Sequence, residues 1–285
     1  MSTREADRQE AAGLAGPGSV AWKINGEAVV VLGWLRAILL QLAHPLVAAG
    51  VADHSTFRAG PLHGVLRFHA TLEAMLALTF GTRAEAERAA AAINAIHDRV
   101  HGRLGEGTPA FPPGTPYSAR DPALLRWVHA TLMESLPLAY ELYVGPLTPE
   151  EKDRYCAEGT ALGPLLGIPE GDLPQTAAEL QAYLGEMYGS GRIAVTETAR
   201  TLAAALLAPP APLPLRPALG LLRLHAAGLL PPAVRRDYGF RWTAADQALL
   251  ACTAALIRGV TSRLPREIRW WPAARAALAR AERGP

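Results

Sequence analysis

The sequence predicts an all-α protein, and three observations lead to that fold class. Apolar residues recur at helical spacing through most of the 285-residue chain, and no alternating strand pattern of useful length occurs. Threonine or aspartate precedes several of these segments, in the position of a helix cap. Neither a GxGxxG nor a Walker sequence is present, which argues against an α/β nucleotide-binding fold.

Composition and charge indicate a folded chain in a reducing compartment. Apolar residues make up 50% and charged residues 19%, the opposite of the balance in disordered segments. The net charge is +2 and the arginines are scattered, so no nucleic-acid partner is expected. Cys156 and Cys252 lie far apart, and the polar N-terminus lacks the apolar region of a signal peptide. We therefore expect a cytoplasmic protein with a disordered tail over residues 1–17 and one helical domain over 18–285.

The first helix is predicted over residues 27–52, with a kink or break at Pro45 because proline lacks a backbone N–H. Its apolar stretch approaches the length of a membrane-spanning helix, but Arg36 and His44 interrupt it. A buried core helix is the favoured interpretation. A membrane-associated helix, with a peripheral membrane contact, is the alternative.

Cap signals place the remaining helices. A loop over residues 53–64 precedes a helix over 65–80, and Thr82 with Glu85 forms a capping box for a third helix that ends at Gly102. A proline- and glycine-rich loop follows over residues 103–119. Further helices are predicted over 121–144, from Thr148 onward, and over 176–188, 192–208, 216–229, 243–260 and 272–283.

Three histidines lie on the apolar faces of predicted helices: His44, His97 and His129. A buried imidazole must satisfy at least one ring nitrogen, so each is either a core residue bonded to a carbonyl or part of a binding site. Helical proteins build cofactor and metal sites from side chains on facing helices, and neutral imidazole is a ligand for iron or zinc.

A zinc site is one alternative that the spacing leaves open. His97 and His101 are four residues apart and would share a helix face, which can hold zinc if a third ligand is supplied. No HExxH pattern is present, and the candidate carboxylates Glu134 and Glu141 are expected to be solvent-exposed. A zinc site of this kind would indicate a non-haem metal hydrolase.

Arg67 and Thr71 lie one turn apart on the predicted second helix. An arginine beside an apolar pocket suits an anionic ligand group such as a carboxylate. The alternative is a surface arginine lying over its own helix.

Several phrases occur together in an order typical of one family. They are LLQLAHPLVAAGVADHS (39–55), Arg67 with Thr71 and FGT (80–82), IHDRVHG (96–102), YSARDPALLRWVH (117–129) and LGIPEGDLPQTAAELQAYL (166–184). The pattern resembles the haem-dependent oxygenase family that includes bacterial latex clearing proteins, which are rubber oxygenases, and the fungal oxygenase of mycophenolic acid biosynthesis. The resemblance covers roughly residues 19–275.

The resemblance implies a globin-like helical core around one haem b, with additional C-terminal helices. It implies His97 as the proximal iron ligand, with His44 as second choice, and an open position for dioxygen on the opposite side. Arg67 would neutralise a haem propionate and Thr71 would position dioxygen or water. His129 and Tyr117 either line the pocket or are structural.

The sequence departs from the family pattern in two places. The lysine that can cap the distal side of the iron in the rubber enzymes falls at Ala70, and His101 stands where an arginine is common. Segments specific to rubber cleavage are missing, so polyisoprene is not implied as the substrate. The prediction is an oxygenase for a small apolar, unsaturated or isoprenoid-like substrate. The alternative is a non-catalytic protein that binds haem or an apolar ligand.

Overall fold

A computed structural model describes residues 13–54, 61–208 and 212–283, and within this part the side chains of 61–68 are not described. The described chain is predominantly helical, with one two-stranded antiparallel sheet. The predicted all-α fold class is therefore confirmed. The predicted tail over 1–17 falls largely outside the described residues. The predicted loop over 53–64 is wrong at both ends, since residues 53–54 belong to the helix that ends at His54 and residues 61–64 to the helix that begins at Pro61. Residues 55–60 lie outside the described part.

The α-helices are α1 Val20–Asn25, α2 Val31–Leu42, α3 Pro45–His54, α4 Pro61–Phe80, α5 Arg83–His97, α6 Pro122–Tyr143, α7 Pro149–Gly159, α8 Gly163–Leu166, α9 Ala177–Gly189, α10 Glu197–Leu207, α11 Arg216–Gly228, α12 Pro232–Asp237, α13 Ala244–Thr261, α14 Arg266–Arg269 and α15 Pro272–Arg283. Within the described residues, 3-10 turns lie at Ala28–Val30, Thr160–Leu162 and Leu213–Leu215, and the strands are β1 His101–Arg103 and β2 Pro116–Ser118.

The helix starts follow from local chemistry. Thr82 accepts a hydrogen bond from the backbone N–H of Glu85, whose carboxylate accepts one from the N–H of Thr82. Thr148 and Thr243 form the same reciprocal box. Each box satisfies two backbone donors that a helix start leaves without a partner. The predicted starts of α5, α7 and α13 are confirmed.

The core is organised around α2 and α6, which pack against each other over most of their lengths. The two helices approach each other closely at Gly33. A Cβ atom at this position would lie 2.6 Å from the carbonyl oxygen of Ser135 and 2.9 Å from the Cβ of Ala139. Only a residue without a side chain permits this spacing between the two helices.

We expect Gly33→Ala to lower the free energy of unfolding by about 1–3 kcal/mol, because the backbones of α2 and α6 must separate to admit the methyl group. Gly220→Ala is the matched control. Gly220 is also helical, but a Cβ there meets nothing within 4 Å, so the change should stabilise by up to about 1 kcal/mol. Denaturant unfolding measures both. Equal effects of the two substitutions would contradict the close approach of α2 and α6.

The apolar stretch over residues 26–51 is broken at Pro45, as predicted. Residues 28–42 and 45–54 meet at an angle of 101°. Most side chains of α2 are buried within the protein, including Leu39 and Leu40. No single helix of the described chain is long and apolar enough to cross a membrane. The bent pair taken together has the length and the apolar composition of a membrane-spanning segment. The buried core helix is thus the form that the structure adopts.

The third predicted helix ends five residues early, at His97 rather than Gly102. The chain turns there and enters β1, which pairs with β2 in the segment predicted as a loop. The phenol of Tyr117 would lie 2.6 Å from a Cβ at position 102. This packing across the hairpin, which local sequence does not reveal, takes the backbone away from the helix.

Candidate functional site

His97 is the last residue of α5 and is half-buried. Its Nδ1 atom is buried and has no hydrogen-bond partner among the described residues. The side chain of the neighbouring Ile96 is 49% exposed. The end of α5 therefore combines an imidazole nitrogen without a partner and an accessible apolar side chain.

The pKa of His97 is lowered, first by burial of the ring and then by the positive charge of Arg120, while Asp98 opposes the shift. The ordinary pKa of histidine is about 6.5. The imidazole is therefore neutral at pH 7, with a lone pair on one ring nitrogen. A neutral imidazole is the form that coordinates a metal ion.

A polar brace fixes the end of α5 that carries His97. Arg120 contacts Asp98 through Nε (3.0 Å) and donates from Nη1 to the side-chain oxygen of Asn94 (2.7 Å). Asn94 in turn donates to the backbone carbonyl of Leu165 (2.8 Å). The brace joins α5, the β2–α6 turn and α8, so it positions the helix end that presents His97.

Tyr117 closes the neighbouring side of this region. Its hydroxyl donates to the carboxylate of Asp53 (2.5 Å), and burial and this contact raise the pKa of the phenol. Its ring packs close to Gly50. His54 donates from Nε2 to the carbonyl of His101 (3.0 Å). These contacts dock α3 against the hairpin that follows His97.

His44 is buried at the junction of α2 and α3, and its ring centroid is 5.2 Å from that of Phe111. Its Nδ1 atom has no partner among the described residues. Burial, assisted by the positive charge of Arg192, lowers the pKa of His44 to about 4. His44 is thus a second neutral imidazole whose Nδ1 atom has no hydrogen-bond partner among the described residues. It is one of the three histidines that the sequence placed on apolar helix faces.

His129 lies on the buried face of α6. Its Nε2 donates to the carbonyl of Gly159 (3.1 Å), while Nδ1 is buried without a partner among the described residues. A Cβ at position 159 would meet the sulfur of Met133 at 2.5 Å. His129 therefore joins α6 to α7 through a close contact, which favours the structural alternative for this residue.

Burial of His129 predicts a pH dependence of stability. Burial lowers its pKa to about 4, whereas the unfolded chain has the ordinary value of 6.5. Between these values the unfolded state binds more protons, so stability falls as the pH decreases. We expect a contribution of roughly 2 kcal/mol from His129 to be lost between pH 7 and pH 5. Denaturant unfolding of the wild type and of His129→Gln at both pH values measures it, and an identical pH dependence in both proteins would contradict the assignment.

The structure places the remaining candidates on α4. Arg67 lies in this helix, but its side chain is outside the described residues. Thr71 is exposed one turn further along. His69 is also exposed, and its Nδ1 is 3.6 Å from the carboxylate of Glu73. The roles of Arg67 and Thr71 stay predictions.

Residues 22–259 match the family described as "ER-bound oxygenase mpaB/B'/Rubber oxygenase, catalytic domain". The match covers most of the chain and agrees with the family that the sequence resembles. The chain belongs to this oxygenase family. No curated protein and no solved structure matches the chain.

The zinc alternative is not supported by the geometry of this oxygenase-family chain. His97 ends a helix and His101 lies in a strand, so they do not share a helix face. Within the three described ranges, no three His, Cys, Asp or Glu side chains are grouped to hold a metal ion. Haem iron needs only an axial protein ligand, since the porphyrin supplies the equatorial ones. One neutral histidine such as His97 fits haem better than it fits zinc.

Sequence reasoning missed two buried polar groups. His225, on α11, is bonded through Nδ1 to the hydroxyl of Tyr143 (2.6 Å) and through Nε2 to that of Thr253 (3.0 Å). The apolar helix face around His225 was the available signal. The second group contains Glu134, which was expected to be exposed but is half-buried and lies 2.8 Å from a guanidinium nitrogen of Arg36.

Glu141 was also expected to be solvent-exposed and is instead half-buried. Its carboxylate lies 2.9 Å from the ammonium group of Lys152. The pair joins α6 to α7 and offers no free carboxylate for a metal site.

Proposed function

We propose that this member of the oxygenase family is a haem b-dependent oxygenase that inserts dioxygen into a small apolar substrate, of the unsaturated or isoprenoid-like class. The observation that supports the proposal best is His97. It is neutral, lies at the end of α5 beside the contacts of Asn94 and Arg120, and has a buried ring nitrogen without a hydrogen-bond partner among the described residues. Bound haem would supply an iron centre that activates dioxygen.

In this proposal, each residue has a role that its chemistry permits. His97 would hold the haem iron, and Asn94 and Arg120 would position His97 through their contacts at the helix end. Arg67 would neutralise a carboxylate of the cofactor, because arginine forms bidentate contacts with carboxylates. The hydroxyl of Thr71, one turn along the same helix, would position dioxygen or water.

The apolar class of substrate is supported by side chains near His97. Ile96 presents an exposed branched side chain beside it, and Val100 lies in an apolar cluster with Leu46 and Phe111. Apolar surface beside a reactive centre favours a substrate that loses little hydration on binding. The cytoplasmic location and the single domain over 18–285 stay predictions.

Isotope incorporation tests the activity. The haem-loaded protein is incubated with isoprenoid and unsaturated fatty substrates under ¹⁸O₂, and the products are analysed by mass spectrometry. We expect ¹⁸O in the product and oxygen consumption that depends on substrate. Thr71→Val should slow turnover by about tenfold or more, whereas Thr71→Ser retains the hydroxyl and most of the rate.

Haem-loaded protein that consumes no oxygen with any of these substrates would overturn the oxygenase proposal. It would leave a non-catalytic haem-binding protein as the function. If the protein bound the apolar substrates but no haem, the proposal that haem is its cofactor would be overturned as well.

A further inference from the structure

The charge of the chain is unevenly distributed along its length. Residues 208–285 contain 12 arginines and 4 acidic residues, whereas residues 1–207 contain 16 basic and 22 acidic residues. The near-neutral net charge of +2 therefore conceals a strongly cationic C-terminal third. Such an asymmetry predicts an anionic partner for this part of the molecule.

The same third exposes large apolar side chains. Leu213 is 73% exposed, Leu256 is 68% exposed and Ile268 is 65% exposed. The other large exposed aliphatic residues in this part of the chain are Leu215, Leu221, Leu249 and Val260. Elsewhere in the described chain, Ile96 alone reaches this class. Clustering of exposed aliphatic residues in one region is typical of an interaction surface.

Helix α13 shows how these side chains are arranged. Leu249, Cys252, Leu256 and Val260 follow one another at intervals of three or four residues, so they share one exposed face. An adjacent face of α13 carries Leu250 and Ala254, which are buried in the protein. No charged residue occurs between Asp246 and Arg258. The exposed face formed by Leu249, Cys252, Leu256 and Val260 is therefore an apolar stripe along α13.

A basic cleft follows α12, close to this stripe in the chain. It has a volume of about 430 Å³ and is lined by residues that include Arg235, Arg236, Arg241 and Trp242. The guanidinium of Arg235 stacks on the ring of Trp242 at 4.4 Å and donates to the carbonyl of Gly228. Arg236 and Arg241 are exposed and form no ion pair with a carboxylate of the described residues. Guanidinium groups that lack carboxylate partners suit a phosphate.

We infer that the C-terminal surface, formed by α11 to α14, binds the surface of an anionic phospholipid bilayer. The exposed leucines would enter the interfacial layer, while Arg236 and Arg241 contact lipid phosphates. The apolar segment over residues 26–51 cannot serve this purpose, because its side chains form the core. Membrane contact is thus assigned to the other end of the chain.

The charges favour a bilayer over two other occupants. A symmetric dimer through this surface would bring two arginine-rich surfaces together, which is unfavourable. A nucleic acid would use the arginines but not the exposed leucines, since its backbone is polar. An anionic bilayer matches both features.

Flotation with lipid vesicles tests the inference on the full-length protein. Vesicles of phosphatidylcholine alone are compared with vesicles in which about a third of the lipid is phosphatidylglycerol, and binding should be at least about tenfold stronger to the anionic ones. A solvent-sensitive fluorophore on the exposed thiol of Cys252 should shift to shorter wavelength on binding. Cys156 is buried and should stay unlabelled.

Two double variants separate the contribution of the arginines to vesicle binding from that of the exposed aliphatic side chains. Arg236→Glu/Arg241→Glu should reduce anionic-vesicle binding by about tenfold or more, and Leu256→Asp/Val260→Asp should abolish the fluorescence shift. Arg88→Glu/Arg99→Glu changes the net charge equally, but on exposed positions near α5, and should retain binding. Circular dichroism confirms that each variant is folded.

Several results would overturn the inference. They are an absence of vesicle binding, equal binding to neutral and anionic vesicles, and loss of binding in the Arg88→Glu/Arg99→Glu control. Dimerisation in solution that Leu256→Asp abolishes would assign the surface to a second copy. Tighter binding to duplex DNA than to anionic vesicles would assign it to nucleic acid.

Discussion

Replacing His97 with alanine is expected to remove about nine-tenths or more of the bound haem, because the proposed site would lose the side chain that holds the iron. The Soret absorption per mole of purified protein measures the occupancy. Added imidazole should restore part of the absorption, since the substitution leaves a space of that shape at the end of α5. Recovery with imidazole distinguishes loss of a ligand from general unfolding.

The matched controls are His69→Ala and His101→Ala. His69 is exposed on α4 and the ring of His101 is exposed on β1, so neither should alter the Soret band. His44 is the second candidate for the axial position. If His97→Ala kept its full haem content and His44→Ala lost it, the axial assignment would move to the junction of α2 and α3.

The second large effect concerns stability. Arg36 is buried in α2, and its guanidinium contacts the carboxylate of Glu134 (2.8 Å), the hydroxyl of Ser135 (2.6 Å) and the carbonyl of Leu229 (2.7 Å). Arg36→Ala leaves all three acceptors without this donor. We expect the free energy of unfolding to fall by about 3–5 kcal/mol, measured by denaturant unfolding.

Two comparisons make that prediction specific. Lys152→Ala removes a partly exposed ion pair with Glu141 and should cost less than about 1 kcal/mol. Arg36→Met/Glu134→Gln removes both charges, so it should recover part of the loss caused by Arg36→Ala. An Arg36→Ala protein as stable as the Lys152→Ala protein would show that the buried contacts do not stabilise the fold.

The sequence predicted the helix starts well, because their signals are local. Thr82 with Glu85 and Thr148 with Glu151 bond within one turn of chain, so four residues suffice to recognise them. The break at Pro45 is local for the same reason. The end of α5 is not local, since it depends on the packing of Tyr117 over Gly102, fifteen residues away in sequence.

Buried ion pairs were also beyond sequence reasoning. Arg36 and Glu134 lie on different helices. An arginine within an apolar segment gives the same sequence pattern whether its side chain is solvated or paired with a carboxylate. Glu27 shows the same limit. It is buried beside Arg269 and Trp270, near the other end of the chain, and burial raises the pKa of its carboxyl.

For the candidate histidines, the sequence predicted burial, while their roles stay predictions. His44, His97 and His129 were selected because each lies on an apolar helix face, and in the structure all three have a buried Nδ1 without a described partner. Helical periodicity identifies burial but gives no distance between helices. Helical periodicity therefore selected the three candidate histidines. It could not show that, among these three, His97 is the one that lies at a helix end beside an exposed aliphatic side chain.

The measurement that tests haem binding most directly is the absorption spectrum of the wild-type protein, produced with iron and a haem precursor, together with its pyridine haemochrome. We predict an intense Soret band and about one haem b per chain. A protein without a Soret band, even after haem is added to the purified chain, would contradict the haem proposal and the role of His97 in it.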